Sequence, residues 1–130
     1  MNTNHYPSLE LCKKLTEIGF PETEKVFAKL VQFKKEDPEH EISDRFQDML
    51  WECVWDYVCP SVMEMLDIMP IEIKKDDVWY MLVVWGNWCV QYYPDNFNYF
   101  HIPLADFRWN IPNTLAEMIL WLHSNWYLKF

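Results

Sequence analysis

ISDRFQDMLWECVWDYV, Ile42 to Val58, decides how this chain folds, because it reads in two ways. At helical spacing, Ile42, Phe46, Met49, Leu50, Cys53, Val54 and Tyr57 share one face. At period two, Trp51, Cys53, Trp55, Tyr57 and Cys59 alternate with Glu52 and Asp56. The helical pattern runs longer and is preferred; a strand from Trp51 to Val58 is the alternative. On the helical reading, Asp44, Asp48, Glu52 and Asp56 recur every four residues as a slowly drifting ladder. Trp51 and Trp55 then project beside that ladder, away from the apolar face. Three like-charged pairs at this spacing cost about 1 kcal/mol in total. Asp56 also faces the unfavourable end of the helix dipole, and Glu41 with Arg45 recovers only a little.

Outward from this segment, the charge distribution is uneven. Residues 36–67 hold ten acids and one base, which is the whole net charge of −9; the remaining ten acids and ten bases cancel. A surface carrying Glu41, Asp44, Asp48, Glu52 and Asp56 beside Trp51 and Trp55 suits Arg and Lys, through charge-assisted hydrogen bonds and cation–π contact. Read as structure alone, it is a solvated acidic face.

The flanking sequence alternates helices and strands. Ser8 caps a helix carrying Leu9, Leu11, Cys12, Leu15 and Ile18, which Gly19 and Pro21 stop. Glu24 to Phe33 reads as a strand. Ser61 and Glu64 form a capping box for a short helix closed by Pro70. Ile71 to Tyr93 reads as sheet, with Glu72 to Asp77 as a charged turn region and Gly86-Asn87 punctuating a hairpin. Tyr99 to Leu104 adds a short strand. Pro112 and Asn113 open a last helix striped by Leu115, Met118, Ile119 and Leu122, and the apolar tail Trp126 to Phe130 docks on the sheet. The expectation is an α+β fold: one domain over residues 1–130, with a small antiparallel sheet of three or four strands packed by three or four helices as a single pair of layers.

Composition excludes several functions. With 51% hydrophobic and 18% aromatic residues, disorder is not expected. Eight Trp, seven Tyr and eight Phe exceed what so small a core needs, which puts some rings at the surface. Two glycines, Gly19 and Gly86, cannot build a phosphate-cradling loop. The basic pairs Lys13-Lys14, Lys34-Lys35 and Lys74-Lys75 are mixed with acids, so direct nucleic-acid binding is not expected. Cys53 and Cys59 are five residues apart, no C-x2-C occurs, and His5, His40, His101 and His123 are scattered; no metal and no cofactor is expected. Residues 1–10 lack a basic and an apolar signal region, and the longest apolar run, Val78 to Trp85, is too short to span a bilayer. A cytosolic chain with free thiols, no membrane association and no enzymatic activity follows as the expectation. Tyr92, Tyr93, Phe97, Tyr99 and Phe100, with Phe107 and Trp109, are either core and loop packing or a second, partner-facing patch.

Three segments together resemble small proteins encoded in bacteriophage and prophage genomes. They are Leu11-Cys12 through Gly19-Phe20-Pro21, Pro60-Ser61-Val62-Met63-Glu64-Met65-Leu66, and Pro112-Asn113-Thr114-Leu115-Ala116 through Leu120-Trp121-Leu122. The resemblance covers about a third of the chain and carries no catalytic residue. It implies a bacterial cytosolic setting and a phage accessory role, such as an anti-CRISPR inhibitor of host defence. Such an inhibitor would use its acidic segment to dock on a host protein with a basic, nucleic-acid-handling surface, for example an RNA-guided CRISPR nuclease. The alternatives are a structural or adaptor protein of phage assembly or regulation, whose acidic face serves solubility, and a small hydrolase. Oligomeric state is open.

Overall fold

Cys53–Cys59 is a strand, not the continuation of a helix. The computed structural model describes residues 5–30, 40–44, 53–86, 89–94 and 103–130; at 28–30, 40–41, 43–44 and 53–56 it describes the backbone alone. Val54, Trp55, Tyr57 and Val58 are β-branched or aromatic, which suits a pleated, half-buried surface. His40–Asp44 is likewise a strand. The helical ladder is therefore corrected: Asp44 and Asp56 sit on different strands, while Asp48, Trp51 and Glu52 lie outside the described residues.

In chain order the elements are α1 (Leu9–Glu17), β1 (Lys25–Leu30), β2 (His40–Asp44), β3 (Cys53–Cys59), α2 (Val62–Ile68), β4 (Glu72–Lys75), β5 (Val78–Trp85), β6 (Cys89–Pro94), β7 (Ala105–Arg108) and α3 (Ile111–Ser124). The α+β expectation holds. The strands divide between two antiparallel sheets instead of gathering in one: a three-stranded sheet β2-β1-β3 and a four-stranded sheet β4-β5-β6-β7. Among the described residues, no helix is long and apolar enough to cross a membrane.

The caps that the sequence announces are formed. Ser8 Oγ accepts from the Leu11 N–H at 3.3 Å. Ser61 Oγ accepts from the Glu64 N–H at 3.2 Å, and Glu64 Oε1 accepts from the Ser61 N–H at 3.0 Å. Glu64 Oε2 also accepts from the Glu24 N–H at 3.1 Å, which ties α2 to the entry of β1. α3 starts earlier than expected. Asn110 is its N-cap, and Asn113 Oδ1 instead accepts from the Ser8 N–H at 2.7 Å, joining the starts of α1 and α3.

The main core lies between α3 and the inner face of the four-stranded sheet. Leu115, Ala116, Met118, Ile119 and Leu122 meet Ile73, Val90, Tyr92 and Ala105, with Leu11 and Leu15 from α1 and Met65 from α2 closing the sides. A separate, smaller cluster of Cys12, Phe27, Ile42 and Cys59 lies between α1 and the three-stranded sheet.

The C-terminal tail packs against the main core through Tyr127 and Leu128. It folds back on the helices: Phe130 packs against Phe20 at 5.5 Å and His123 at 5.8 Å, and Tyr127 stacks on Trp121 at 5.6 Å. Its turn explains the path. The Tyr127 N–H donates to Leu122 O at 2.9 Å and the Trp126 N–H to His123 O at 3.2 Å, a Schellman closure. Gly19 closes α1 in the same way at φ +88°, but at the end of α3 the left-handed position is filled by Trp126 at φ +66°. A side chain there costs about 1–2 kcal/mol, and Trp126 is 82% exposed, so it recovers little through burial. W126G is expected to stabilise the fold by about 1 kcal/mol, raising the thermal midpoint by a few degrees.

Candidate functional site

Among the described residues, the helices pack on one face of the four-stranded sheet, and the other face carries exposed side chains. Alternation along β5 sends Tyr80 and Leu82 to the core and Trp79, Met81 and Trp85 outward. Trp79 is 47% and Trp85 54% exposed, which is unusual for residues of this size in mid-sheet. The register completes the face: Lys74 lies opposite Trp79, Tyr93 opposite Met81, Gln91 opposite Val83 and Cys89 opposite Trp85. On the far side, Asp106 pairs with Gln91 and Arg108 with Cys89.

Polar groups hold this face in shape. Trp85 Nε1 donates to Gln91 Oε1 at 2.9 Å, which fixes the indole over the hairpin. Arg108 grips Asp106 through two bonds, Nε to Oδ1 at 3.2 Å and Nη2 to Oδ2 at 3.1 Å. Cys89 Sγ donates to Asp106 Oδ1 at 3.4 Å. The Lys74 ammonium sits 5.6 Å from the Trp79 ring centroid, a cation–π contact. Gln91 and Cys89 are buried within the face. The result is a row of apolar side chains whose neighbours are locked by hydrogen bonds.

The electrostatics follow from these contacts. The Arg108 guanidinium holds the Asp106 carboxyl below its ordinary range, so it stays ionised. Burial, then the bond to Asp106, pushes the Cys89 thiol up. A raised thiol beside a carboxylate is a poor nucleophile, because the thiolate is the reactive form. Two further acids are raised in the core: Cys59, by its hydrogen bond with Cys12 and by burial, and Tyr92, by burial. A group raised in the folded state contributes stability below its unfolded pKa and loses it as pH climbs past that value. Stability is therefore expected to be level below the ordinary thiol value of 9.0 and to fall above it. Urea unfolding across the alkaline range checks this, and C89A should flatten the fall.

A cleft of about 670 Å3 opens beside the same hairpin end, lined by His5, Val62, Val84, Gly86, Asn110, Ile111 and Pro112. Val84 belongs to the helix-facing side of β5, so the cleft lies between the hairpin end and the starts of α2 and α3. Among the described residues, no group of three His, Cys, Asp or Glu side chains is placed to hold a metal.

The sequence-predicted site residues scatter. Glu41 and Trp55 both register with Ala28, on opposite sides of β1. Asp44 registers with Lys25, and Asp56 is the extra residue of a bulge, since pairing passes from Phe27–Tyr57 to Ala28–Trp55. Asp48, Trp51 and Glu52 lie outside the described residues, as do Phe97, Tyr99 and Phe100. Tyr92 is fully buried and belongs to the core, which removes it from the expected aromatic patch; Tyr93, its neighbour, is on the outer face. Trp79, Met81, Trp85, Gln91, Asp106 and Arg108 were not among the expected site residues. The available signal was the apolar run Val78 to Trp85 itself, because in an antiparallel sheet such a run leaves bulky residues on both faces.

No family model, curated protein or solved structure matches the chain.

Proposed function

We propose that the protein is a non-catalytic docking module that binds a basic surface of another protein through the outer face of its four-stranded sheet. The observation that carries this reading is the exposed row of Trp79, Met81 and Trp85, with Trp85 held by Gln91. Large rings already fixed in place lose little entropy on binding, which is the property of interface anchors. The net charge of −9 selects the kind of partner. Two copies of this chain repel each other, and so does a nucleic acid, whereas a basic protein surface is attracted over several ångströms.

The resemblance of the segments around Gly19, Ser61 and Leu115 to phage-encoded proteins supports a finer version. The partner is then a nucleic-acid-handling defence protein of a bacterial host, such as an RNA-guided CRISPR nuclease. The protein acts in the host cytoplasm, and inhibition follows from occupying the groove that normally takes guide or target. The absence of a catalytic role is part of the same reading, supported by the unreactive setting of Cys89.

Titration of a purified RNA-guided nuclease with the chain, at several salt concentrations and with target cleavage as a second readout, tests this. The expected result is binding that weakens as ionic strength rises and that slows cleavage. Failure to bind the nuclease removes that partner. Binding indifferent to salt favours an adaptor of phage assembly or regulation, docked by the apolar row alone.

A further inference from the structure

We propose that Cys12 and Cys59 are a redox pair, and that a disulfide between them staples α1 to β3. Both residues are fully buried in one four-residue cluster with Phe27 and Ile42. The two elements present them to each other. On α1, Leu11 and Leu15 turn to the main core while Cys12 turns to the three-stranded sheet. On β3, Tyr57 and Cys59 share the face that α1 covers, and the register adds Phe27 and Ile42 beside Tyr57.

Independent contacts fix this approach. The Thr16 hydroxyl donates to the Cys12 carbonyl at 2.8 Å and accepts from the Val58 N–H at 3.0 Å. It therefore bridges the helix at Cys12 to the strand one residue before Cys59. The Lys13 ammonium lies 5.6 Å from the Tyr57 ring centroid, across the same junction. Cys12 Sγ donates to Pro7 O at 3.7 Å, the Cys59 N–H donates to Thr23 Oγ1 at 3.0 Å, and the Cys12 thiol lies near enough to push the Cys59 thiol up. Both are free thiols in this structure.

The oxidant is a small disulfide such as oxidised glutathione. One cysteine thiolate attacks it, forming a mixed disulfide and releasing one glutathione thiolate. The second cysteine then attacks the mixed disulfide, forming the protein S–S bond and releasing the second. The two protons leave with the two glutathione thiols, and the protein loses two electrons to the oxidant. Burial and the Cys12 bond keep the Cys59 thiol protonated, so the exchange proceeds when α1 lifts from the sheet.

The consequence is mechanical. Among the described residues, the three-stranded sheet meets the rest of the fold through a small cluster, with Val58 reaching the main core. A bond closing the 46 residues between Cys12 and Cys59 constrains all of β1 and β2. Glu41, Asp44 and Asp56 ride on that sheet, so oxidation would rigidify the acid-bearing half of the protein.

The test uses the full chain in glutathione buffers of increasing oxidised fraction, followed by alkylation, digestion and mass mapping. The expected product is a linked peptide pair containing Cys12 and Cys59, with the Cys89 peptide still alkylated. The thermal midpoint should rise by about 10 °C with the link and return on reduction. The C53A/C89A double variant should keep both effects. The wild-type peptide map is decisive even if C12A folds poorly. Alkylated or separately glutathionylated Cys12 and Cys59 in fully oxidising buffer would overturn the proposal. So would preferential linkage through Cys53 or Cys89, or a linked protein with an unchanged midpoint.

Discussion

Replacing Tyr92 by alanine is expected to destabilise the fold by about 3–5 kcal/mol, enough to unfold much of the population of a marginally stable domain. The reason is its place. Tyr92 is fully buried at the centre of the inner sheet face, paired with Leu82 on one side and Ala105 on the other. Its ring stacks near Trp121 at 6.5 Å, and its hydroxyl donates to Pro70 O at 2.7 Å. Tyr92→Phe separates the two contributions. It keeps the ring and leaves the Pro70 carbonyl without that donor, so a loss of about 1–3 kcal/mol is expected. Urea denaturation of both variants reads the difference. Neither should alter partner affinity once corrected for the folded fraction, because Tyr92 does not reach the outer face.

The second large effect concerns that outer face. Trp79→Ala and Trp85→Ala should each weaken partner binding by about 30-fold or more, the loss expected when a central aromatic anchor is truncated. Both rings are about half exposed in the free chain, so either change should cost little stability. Gln91→Leu tests the role of the hydrogen bond. It leaves the Trp85 indole N–H without Gln91 and should lower affinity while leaving the apolar area in place. Trp126→Ala removes a ring that is more exposed still, on the far turn after α3, and is the matched control: binding should be unchanged.

Most of the fold is legible in the sequence where local chemistry is unambiguous. Ser8 with Gly19, and Ser61 with Glu64, mark two helices by caps whose hydrogen bonds are local, so no tertiary context is needed to read them. The turn between β4 and β5 is narrower than the charged turn read over Glu72 to Asp77: Glu72–Lys75 is strand β4, and only Asp76 at φ +52° and Asp77 at φ +63° turn, the geometry of a two-residue hairpin. Residues 42–58 are different. Their apolar positions satisfy both periods, and what decides between them is pairing with β1, some 15 to 30 residues earlier, which no local pattern contains. The candidate site suffers from the same gap. Charge density is visible in composition, so attention goes to the acids, whereas the exposure of Trp79 and Trp85 depends on which sheet face the helices cover. The strand expected over Tyr99 to Leu104 lies, for residues 99–102, outside the described residues; Leu104 donates its N–H to Tyr92 O at 2.9 Å, and the described strand Ala105–Arg108 is placed by its register with β6.

Amide hydrogen exchange of the chain, alone and bound to its protein partner, tests the central claim most directly. Docking through the outer face predicts new protection over Val78–Trp85 and Cys89–Pro94, strongest at the hairpin end near Trp85. Protection confined to His40–Asp44 and Cys53–Cys59, with Val78–Pro94 exchanging as in the free chain, would contradict it and return the interface to the acidic segment.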